Sequence, residues 1–585
     1  MKKLVTILFY VFLIFLIANP IWPRYEIFNY IFSFIFLGLS ILIFIFSDKK
    51  KIKIDMIDIL LGLLPFFYIL PFLLKRNLFN FSYCFEFILL EFALTVTILI
   101  LKRYLNKTMI NDLLITICLS GVIYLFVAFI TSYMPKFMFM FRISNYFGDT
   151  YINSVDRFYG TLDYCNISAL FFAICSFVSL FRIYENETEA NFFRFTLFIN
   201  FCGFLITFSK MVSIAFLLVL MTLIILQLFF NRKKFLKILK IDFISLVIPS
   251  LLFIKIFRYY LINLNIFLFL FIFILLFLFF IIICLILEYL DKRFKHSSML
   301  YFAIECFILL YLIMNPISVS LKVNNVSKEN DFIISDFILE NDKDYTISFD
   351  VDGEYGNSKF QLCYLYVEQM IPKEECILNI VNDANPSFEF TTIEDFEYYF
   401  IKIIDLNSKT NLKINNLKID DSDYLINSFL VPYQFVHQLE LTKYDKESVS
   451  HRFDYYKDSF EIIKNNNFIL GGGVDTFAFY ALKGNFNYLE TDPHSYFFQL
   501  WLDVGIYGVI YVFLLVIFGI FYMWKYRMKK NKLIWFCIFS LCMIILPFDA
   551  VYSVMLTKVF LMLSFSMVCR DTIKKLQFVS FLFMT

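Results

Sequence analysis

Long apolar runs, separated by short polar connections, dominate this chain. About twenty apolar residues are needed to cross the hydrocarbon of a bilayer, and about fourteen runs approach that length. We therefore predict an all-α polytopic membrane protein with about fourteen transmembrane helices. The runs begin near residues 4, 27, 56, 81, 110, 167, 195, 211, 241, 264, 299, 496, 533 and 551.

Short basic clusters between the runs predict the orientation of the helices. Lysine and arginine are concentrated in the cytoplasmic loops of membrane proteins. A cytoplasmic N-terminus puts nearly all of these clusters on one side, with Lys75-Arg76 as the exception. Both termini are then cytoplasmic, and the polar segments 131–166 and 321–493 lie outside. The clusters on the cytoplasmic side are 49–53, 102–107, 232–240, 292–295, 525–532 and 570–575.

Part of the larger polar segment has the pattern of strands. Apolar and polar residues alternate most clearly in 345–351 and 411–420, with glycine, asparagine and aspartate at the breaks. Such alternation is typical of antiparallel strands. We predict an extracytoplasmic β-sandwich inserted at 321–430, which resembles carbohydrate-binding jelly rolls in pattern. A spacer that binds no ligand is the alternative interpretation.

These patterns divide the chain into four parts. Residues 1–320 form the first part of the membrane domain, with about eleven helices, and 496–585 form its last helices. Between the predicted sandwich and those helices, 431–495 form part of the predicted active site. This part carries an amphipathic helix from about His451 to Lys464, capped by Ser450, and then a glycine-rich stretch.

Composition supports a membrane protein and argues against nucleic-acid binding. Of the 585 residues, 60% are hydrophobic, and the mean hydropathy of +0.73 is far above that of soluble proteins. The net charge is +2, and the charges lie in short clusters instead of forming a basic face. Most of the 12 cysteines lie in apolar runs. Cys363 and Cys376 lie in the polar segment, and the sequence leaves open whether they form a disulfide.

Side chains suited to binding or catalysis are predicted on the outer side of the membrane at four places. A cation at the centre of a bilayer costs about 2.5 to 3.5 kcal/mol, so Lys210 is expected at the surface or in a polar cavity. The other candidates belong to outer loops or to the entrance of an apolar run. In chain order, the four places are Arg157 with Gly160 and Asn166, the pair Ser209-Lys210, Arg452, and His494.

Three cations and one histidine on one face suit an anionic substrate carried on a lipid. Arginine grips phosphate with paired charge-assisted bonds of about 1.5 to 3 kcal/mol each, and lysine acts as a point charge. His494 is suited to take a proton from an incoming sugar hydroxyl as a diphosphate leaves. Free N–H groups in Gly471–Gly473 are expected to meet an anion. The sequence contains no His/Cys spacing typical of zinc sites, no P-loop and no G-x-S-x-G nucleophile elbow. Neither a metal nor a cofactor is therefore predicted.

These residues, in this order, resemble the O-antigen ligase and O-antigen polymerase superfamily, whose members are multi-spanning transferases that take glycans from undecaprenyl diphosphate. The likeness covers roughly 157 to 515. It departs from the family at Lys210, where arginine is usual, at Ser495, where asparagine is common, and at Asp503, which replaces glutamate. The matching features are Arg157-x-x-Gly160, Asn166-x-x-Ala169, Ser209-Lys210, Arg452 before the stretch that ends at Gly473, and His494 followed by Asp503-x-Gly505-x-x-Gly508.

The resemblance implies a metal-independent, inverting glycosyltransferase in a prokaryotic cytoplasmic membrane. His494 and Arg452 would be catalytic in such an enzyme. Its partners would be a polyprenyl-diphosphate-linked glycan donor, a glycan, lipid or protein acceptor, and membrane lipids. The residues expected to bind the diphosphate are Arg157, Lys210, Arg452, Gly472 and Gly473.

Two other functions stay open on the sequence alone. A transporter or flippase of lipid-linked glycans should have related halves and a central charge cluster, and neither is evident. A non-enzymatic surface protein that binds glycans would leave Arg157, Arg452 and His494 without a role. Arg157 and Arg452 also fit a plainer role as outer-loop cations that bind lipid phosphates, and Lys210 fits a role as a cation that extends to the membrane surface. The sequence does not distinguish a ligase from a polymerase.

Overall fold

The computed structural model describes most of the predicted membrane domain, much of 321–430 and the elements around His494. The run expected near 299 and the site residue Arg157 lie outside the described residues, and the run near 241 is described in short pieces. The described residues are 2–21, 26–47, 54–74, 81–131, 162, 165–185, 189–207, 209–229, parts of 241–253, 266–293, 319–322, 332–338, 342–353, 359–368, 371–381, 385–392, 398–404, 411–420, 422–423, 443–466, 470–482, 492–525, 530–549 and 555–570.

The protein is mostly helical, and its helices follow the apolar runs. The first nine that we label are α1 (Lys2–Ala18), α2 (Glu26–Phe46), α3 (Met56–Leu73), α4 (Phe81–Tyr104), α5 (Lys107–Thr131), α6 (Cys165–Glu185), α7 (Ala190–Ile206), α8 (Lys210–Phe229) and α9 (Ile266–Arg293). The later helices are α10 (Lys443–Asn466), α11 (Thr476–Leu482), α12 (Tyr496–Val504), α13 (Ile506–Lys525), α14 (Lys530–Ile545) and α15 (Met555–Cys569).

Among the described residues, six helices are long and apolar enough to cross a membrane: α1, α3, α4, α5, α6 and α9. Shorter apolar helices lie within α2, α7, α8, α13, α14 and α15. A chain with this many apolar helices is a multi-pass membrane protein.

Helix α6 lies at the centre of the helical core. Its entire apolar span is buried, and it packs against α5, α7, α8 and α14. Helix α9 differs, because Phe271 is 60% exposed and Leu285 is 54% exposed. Apolar side chains exposed in this way are expected to face lipid. The burial pattern therefore separates a central helix from a peripheral one.

Buried ion pairs connect helices inside the apolar core. Lys558 of α15 pairs with Glu91 of α4, and both side chains are almost completely buried. Arg194 of α7 pairs with Asp242 and with Glu288 of α9. Charges in a membrane domain are costly unless they are paired. These pairs join residues from separate apolar runs, and the sequence alone did not indicate them.

The apolar run that begins at 496 forms two helices, although we predicted one. Gly505 follows α12 with a φ of +74° and a ψ of −153°, a backbone conformation that is essentially restricted to glycine and that ends the helix. Gly508 then packs so closely on α12 that an added Cβ would lie 2.7 Å from the Leu500 carbonyl oxygen. The long apolar helix therefore begins at Ile506, and α12 is a separate helix of 9 residues.

Two antiparallel sheets occupy most of 321–430. The strands are β1 (Val319–Lys322), β2 (Phe332–Ile338), β3 (Asp344–Gly353), β4 (Lys359–Glu368), β5 (Ile371–Val381), β6 (Ser387–Thr391), β7 (Tyr398–Ile404), β8 (Asn411–Ile419) and β9 (Ser422–Asp423). One sheet has the strand order β1-β8-β3-β6 with β9 beside β8, and the other has the order β2-β7-β4-β5. Phe349 contacts Phe360 across the two sheets, with ring centroids 5.4 Å apart, and Phe390 lies 5.3 Å from Tyr399.

Strand β5 did not follow from the alternation pattern. Its first half contains Pro372 and the charged run 373–375, which interrupts the apolar alternation. It pairs with β4 along its length, and a disulfide joins Cys363 to Cys376 across the two strands. The pairing that the sequence left open is therefore present.

Helix α10 begins earlier than we predicted. It starts at Lys443, so Ser450 lies inside the helix and is not its N-cap. Residues 443–450 contain neither glycine nor proline, and no residue among them interrupts the helix. The predicted end near Lys464 agrees with the observed end at Asn466 to within the usual fraying of a helix terminus.

Candidate functional site

Asp549 lies at the centre of a chain of polar side chains from four elements. Its carboxylate is fully buried in the connection between α14 and α15. The Asn166 amide of α6 donates to Asp549 Oδ2, and the hydroxyl of Ser209 donates to Asn166 Oδ1. Arg452 of α10 completes the chain, with Nη2 3.9 Å from Asp549 Oδ2. We call Ser209, Asn166, Asp549 and Arg452 the Asp549 cluster.

The beginnings of three helices meet at this cluster. Asn166 lies in the first turn of α6, and Ser209 directly precedes α8. At the start of α12, the Tyr496 N–H lies 3.3 Å from the Asp549 carbonyl oxygen and 3.1 Å from that of Leu546. Helix N-termini carry partial positive charge and unpaired N–H groups. Their convergence favours negative charge, as in anion sites at helix N-termini.

His494 directly precedes α12 and has an unusual backbone. Its φ is +48°, which is rare for a residue other than glycine. The Asp492 carboxylate accepts the His494 N–H at 2.8 Å, and Ser495 caps α12 by accepting the Phe498 N–H. Sparsely populated backbone conformations cluster at functional sites, so this geometry marks His494 as a candidate.

Two tyrosines of α10 join His494 to the side of the helix that carries Arg452. The Tyr455 ring stacks on the imidazole, with centroids 5.4 Å apart. The Tyr456 hydroxyl lies 3.4 Å from the His494 carbonyl oxygen and 3.5 Å from that of Pro547. Burial raises the pKa of the Tyr456 phenol, while the nearby Arg452 acts in the opposite direction. The His494 imidazole therefore lies against the side of α10 that carries Arg452.

The glycine stretch, residues 471–473, lies at the other end of α12 from the Asp549 cluster. The Gly472 N–H donates to the Leu502 carbonyl at 2.8 Å, and the Gly473 N–H donates to the Asp503 carbonyl at 3.0 Å. These carbonyls are at the C-terminal end of α12, about 10 Å along the helix from Tyr496. The expectation that Gly472 and Gly473 offer N–H groups to a diphosphate therefore does not fit this conformation, because both donors are already used.

Asp503 holds the glycine stretch against α12. Its buried carboxylate accepts the Thr476 N–H at 3.0 Å and hydrogen bonds from Gln499 Nε2 at 3.1 and 3.0 Å. Burial raises the pKa of Asp503 well above its usual value, and the nearby Asp475 adds to this effect. At Gly471, where φ is +69°, an added Cβ would lie 2.4 Å from the Asp503 carbonyl oxygen. This region is built for close backbone packing.

The structure therefore brings together some of the predicted site residues and separates others. His494 contacts Tyr455 and Tyr456, which lie on the same side of α10 as Arg452, whereas Gly472 and Gly473 lie at the far end of α12. Lys210 is the first residue of α8, directly after Ser209, but its side chain and all of Arg157 lie outside what the structure describes.

Asp549 and Tyr456 were missed by the sequence analysis. A signal for Asp549 was available, because it is a lone acidic residue beside Pro547 between two apolar runs. Tyr456 lies within the predicted amphipathic helix and was not selected as a candidate. Its contacts with His494 and Pro547 depend on how α10 packs on α12, and spacing along α10 does not report that packing.

Within the described part of the chain, His, Cys, Asp and Glu side chains form no group of three or more that could hold a metal ion. Comparison of the chain with protein-family models, with curated proteins and with solved structures finds no match. The function is therefore inferred from the residues of the site and from their arrangement.

Proposed function

We propose that this protein is a membrane glycosyltransferase, a glycan ligase or polymerase. It transfers an oligosaccharide from polyprenyl diphosphate to an acceptor on the outer face of a prokaryotic cytoplasmic membrane. The observation that carries this proposal is the Asp549 cluster. Asn166, Ser209 and Arg452 are far apart in sequence, and each belongs to a motif that resembles the O-antigen ligases. Asn166 and Arg452 meet at the Asp549 carboxylate, and Ser209 joins them through Asn166.

Arg452 is suited to hold the diphosphate of the donor. Its side chain is 28% exposed, so it can reach a ligand while the buried Asp549 orients it. The 3.9 Å separation is longer than a hydrogen bond, which leaves guanidinium donors for phosphate oxygens. The converging N-termini of α6, α8 and α12 carry partial positive charge, which favours the negative charge of phosphate. Lys210 and Arg157 are proposed as further cations of this site.

His494 is proposed as the general base. It accepts the proton of the acceptor hydroxyl as that oxygen forms a bond to the anomeric carbon of the donor sugar. The bond from this carbon to the diphosphate oxygen breaks in the same step, and polyprenyl diphosphate leaves with the electron pair. One displacement of this kind inverts the anomeric configuration. Tyr455 stacks on the imidazole and limits its rotation.

The remaining architecture fits an enzyme at an outer membrane surface. We propose about fourteen transmembrane helices, cytoplasmic termini and an extracytoplasmic β-sandwich over 321–430 that positions glycan. The Cys363–Cys376 disulfide supports this placement, since disulfides persist in oxidising compartments. A variant that lacks 328–422 is expected to keep transfer to simple acceptors if the sandwich only positions glycan.

The test is transfer from a polyprenyl-diphosphate-linked oligosaccharide in reconstituted vesicles. His494→Ala should lower the rate by about 10² to 10⁴-fold, the usual contribution of a general base. Arg452→Gln should weaken use of the donor, whereas Lys107→Ala at the exposed start of α5 should not. Full activity of His494→Ala would remove this residue from the mechanism. Single addition to the acceptor would indicate a ligase, and a ladder of products would indicate a polymerase.

A transporter of lipid-linked glycans is the second candidate. The buried Glu91–Lys558 pair favours it, because ionisable residues within membrane helices often mark transport pathways. The same vesicles separate the two functions. Movement of labelled donor across the bilayer without a new glycosidic bond would support the transporter, and covalent transfer without such movement would support the enzyme.

A further inference from the structure

Helix α10 carries an exposed stripe that is separate from the face bearing Arg452. Phe453, Lys457, Phe460 and Lys464 follow one another at intervals of four, three and four residues. Residues at this spacing share one face of a helix. All four are exposed, and the two phenylalanines are 66% and 51% exposed. We call these four residues the α10 stripe.

The rest of α10 is divided between a packed face and an acidic face. Ile462 and Ile463 are buried against Phe477 of α11 and Leu502 of α12. Asp454 and Glu461 are exposed and, by helical spacing, lie on the side of the stripe away from Arg452. The basic residues of the helix surface are thus interleaved with phenylalanine, and the acidic residues are set apart.

This division matches a helix that lies in a membrane interface. Such helices bury aromatic side chains at the boundary between head groups and acyl chains, while lysines flank them and reach lipid phosphates. The acidic face then points toward water, away from anionic lipid. Each phenylalanine ring contacts one aromatic neighbour, Tyr456 for Phe453 and Trp501 for Phe460, yet more than half of each side chain stays exposed.

The stripe also adjoins the surface expected to face lipid. The Phe460 ring contacts Trp501 of α12, with centroids 6.3 Å apart. Helix α12 leads at Gly505 into the apolar helix α13, whose Phe513 and Ile517 are each 58% exposed. Exposed apolar side chains thus occur on α13 and on α10, and both of these helices pack against α12.

We propose that the α10 stripe docks this helix on the surface of an anionic phospholipid leaflet. Phe453 and Phe460 enter the boundary of head groups and acyl chains, and Lys457 and Lys464 pair with lipid phosphates. Docking in this way sets Arg452, the neighbour of Phe453, at head-group depth. The proposal depends on the membrane location of the chain and holds whether or not the chain transfers glycans.

The test uses the full-length protein in nanodiscs with brominated phospholipids, which quench nearby tryptophan fluorescence. Phe453→Trp and Phe460→Trp are each compared with the parent protein, whose 4 tryptophans supply the background. Phe513→Trp on α13 is the positive control, and Glu461→Trp on the acidic face is the negative control. The added signal at 453 and 460 should be quenched as strongly as that at 513.

Quenching at 453 and 460 no greater than at 461 would overturn the proposal. A second copy of the chain covering the stripe would give this result, because it would keep brominated lipid away. A charge-reversal variant, Lys457→Glu with Lys464→Glu, tests the lipid class in the Phe460→Trp background. Its quenching should fall in discs that contain phosphatidylglycerol and stay unchanged in discs of phosphatidylcholine alone. Equal quenching in both disc types, for both charge states, would overturn the anionic preference.

Discussion

Asn166 and Asp549 are 383 residues apart in the chain, and the Asn166 amide donates a hydrogen bond to the buried Asp549 carboxylate. This bond ties the start of α6 to the connection before α15. Because Ser209 reaches the same amide and Arg452 the same carboxylate, one acidic side chain organises four elements around the proposed site.

Asp549→Ala should destabilise the protein. It leaves the buried Asn166 amide without its acceptor, and such a group costs about 1 to 3 kcal/mol. Asp549→Asn keeps a side chain of similar shape with one acceptor oxygen, but it removes the charge that orients Arg452. We therefore expect the asparagine variant to lose transfer activity more than thermal stability. Melting in detergent and vesicle assays measure the two effects, and an alanine variant that melts like the parent protein would contradict this role.

Gly471→Ala should destabilise the contact between the glycine stretch and α12. The new methyl would be strained at a φ of +69° and would lie 2.4 Å from the Asp503 carbonyl oxygen. The strain alone is expected to cost about 1 kcal/mol or more. Gly62→Ala on α3 is the matched control, because nothing beyond its chain neighbours and the adjacent backbone of α3 lies within 4 Å of its added Cβ. A similar melting temperature for both variants would count against the close packing.

The buried Asp503 carboxyl should make stability depend on pH. Burial raises its pKa in the folded protein well above the usual value of about 3.9. The folded state therefore holds the proton more tightly than the unfolded state does. The stability that this proton contributes is complete below about pH 4 and is lost as pH rises through the folded pKa. Relative to Asp503→Asn, the wild-type protein should gain stability as pH falls, and a constant difference in melting temperature would refute this.

Tyr455 should position His494 for proton transfer. Tyr455→Leu removes the ring that stacks on the imidazole, so kcat should fall while the KM for the donor changes little. Tyr455→Phe keeps the stacked ring and should restore most of the rate. A rate lost equally in both variants would point to the hydroxyl instead of the stacking.

The Glu91–Lys558 pair should show strong coupling in a double-mutant cycle. Removing either partner leaves the other charge buried, which typically costs about 3 to 5 kcal/mol. Glu91→Gln and Lys558→Met should each destabilise the protein strongly, and the double variant should lose much less than the sum of the two. Additive losses in thermal unfolding would show that the two charges do not depend on each other.

Local patterns were enough to predict most of the secondary structure. Runs of apolar residues predicted the helices, because hydrocarbon requires an uninterrupted stretch of them. Alternation predicted strands such as β3 and β8, since successive side chains of a strand point to opposite faces. Both signals lie within a few neighbouring residues. Arg452 and His494 could likewise be selected as candidates, because charged and titratable groups beside apolar runs stand out in the sequence.

The sequence by itself determined a many-helix membrane chain with an inserted strand-rich segment and a short set of candidate residues. Tertiary structure alone decided that Asp549 joins Asn166 to Arg452, and that the N–H groups of Gly472 and Gly473 bond to α12. It also decided that α12 and α13 separate at Gly505. The physical reason is that these features arise from contacts between elements distant in the chain, and no local pattern of residues encodes which surfaces will meet.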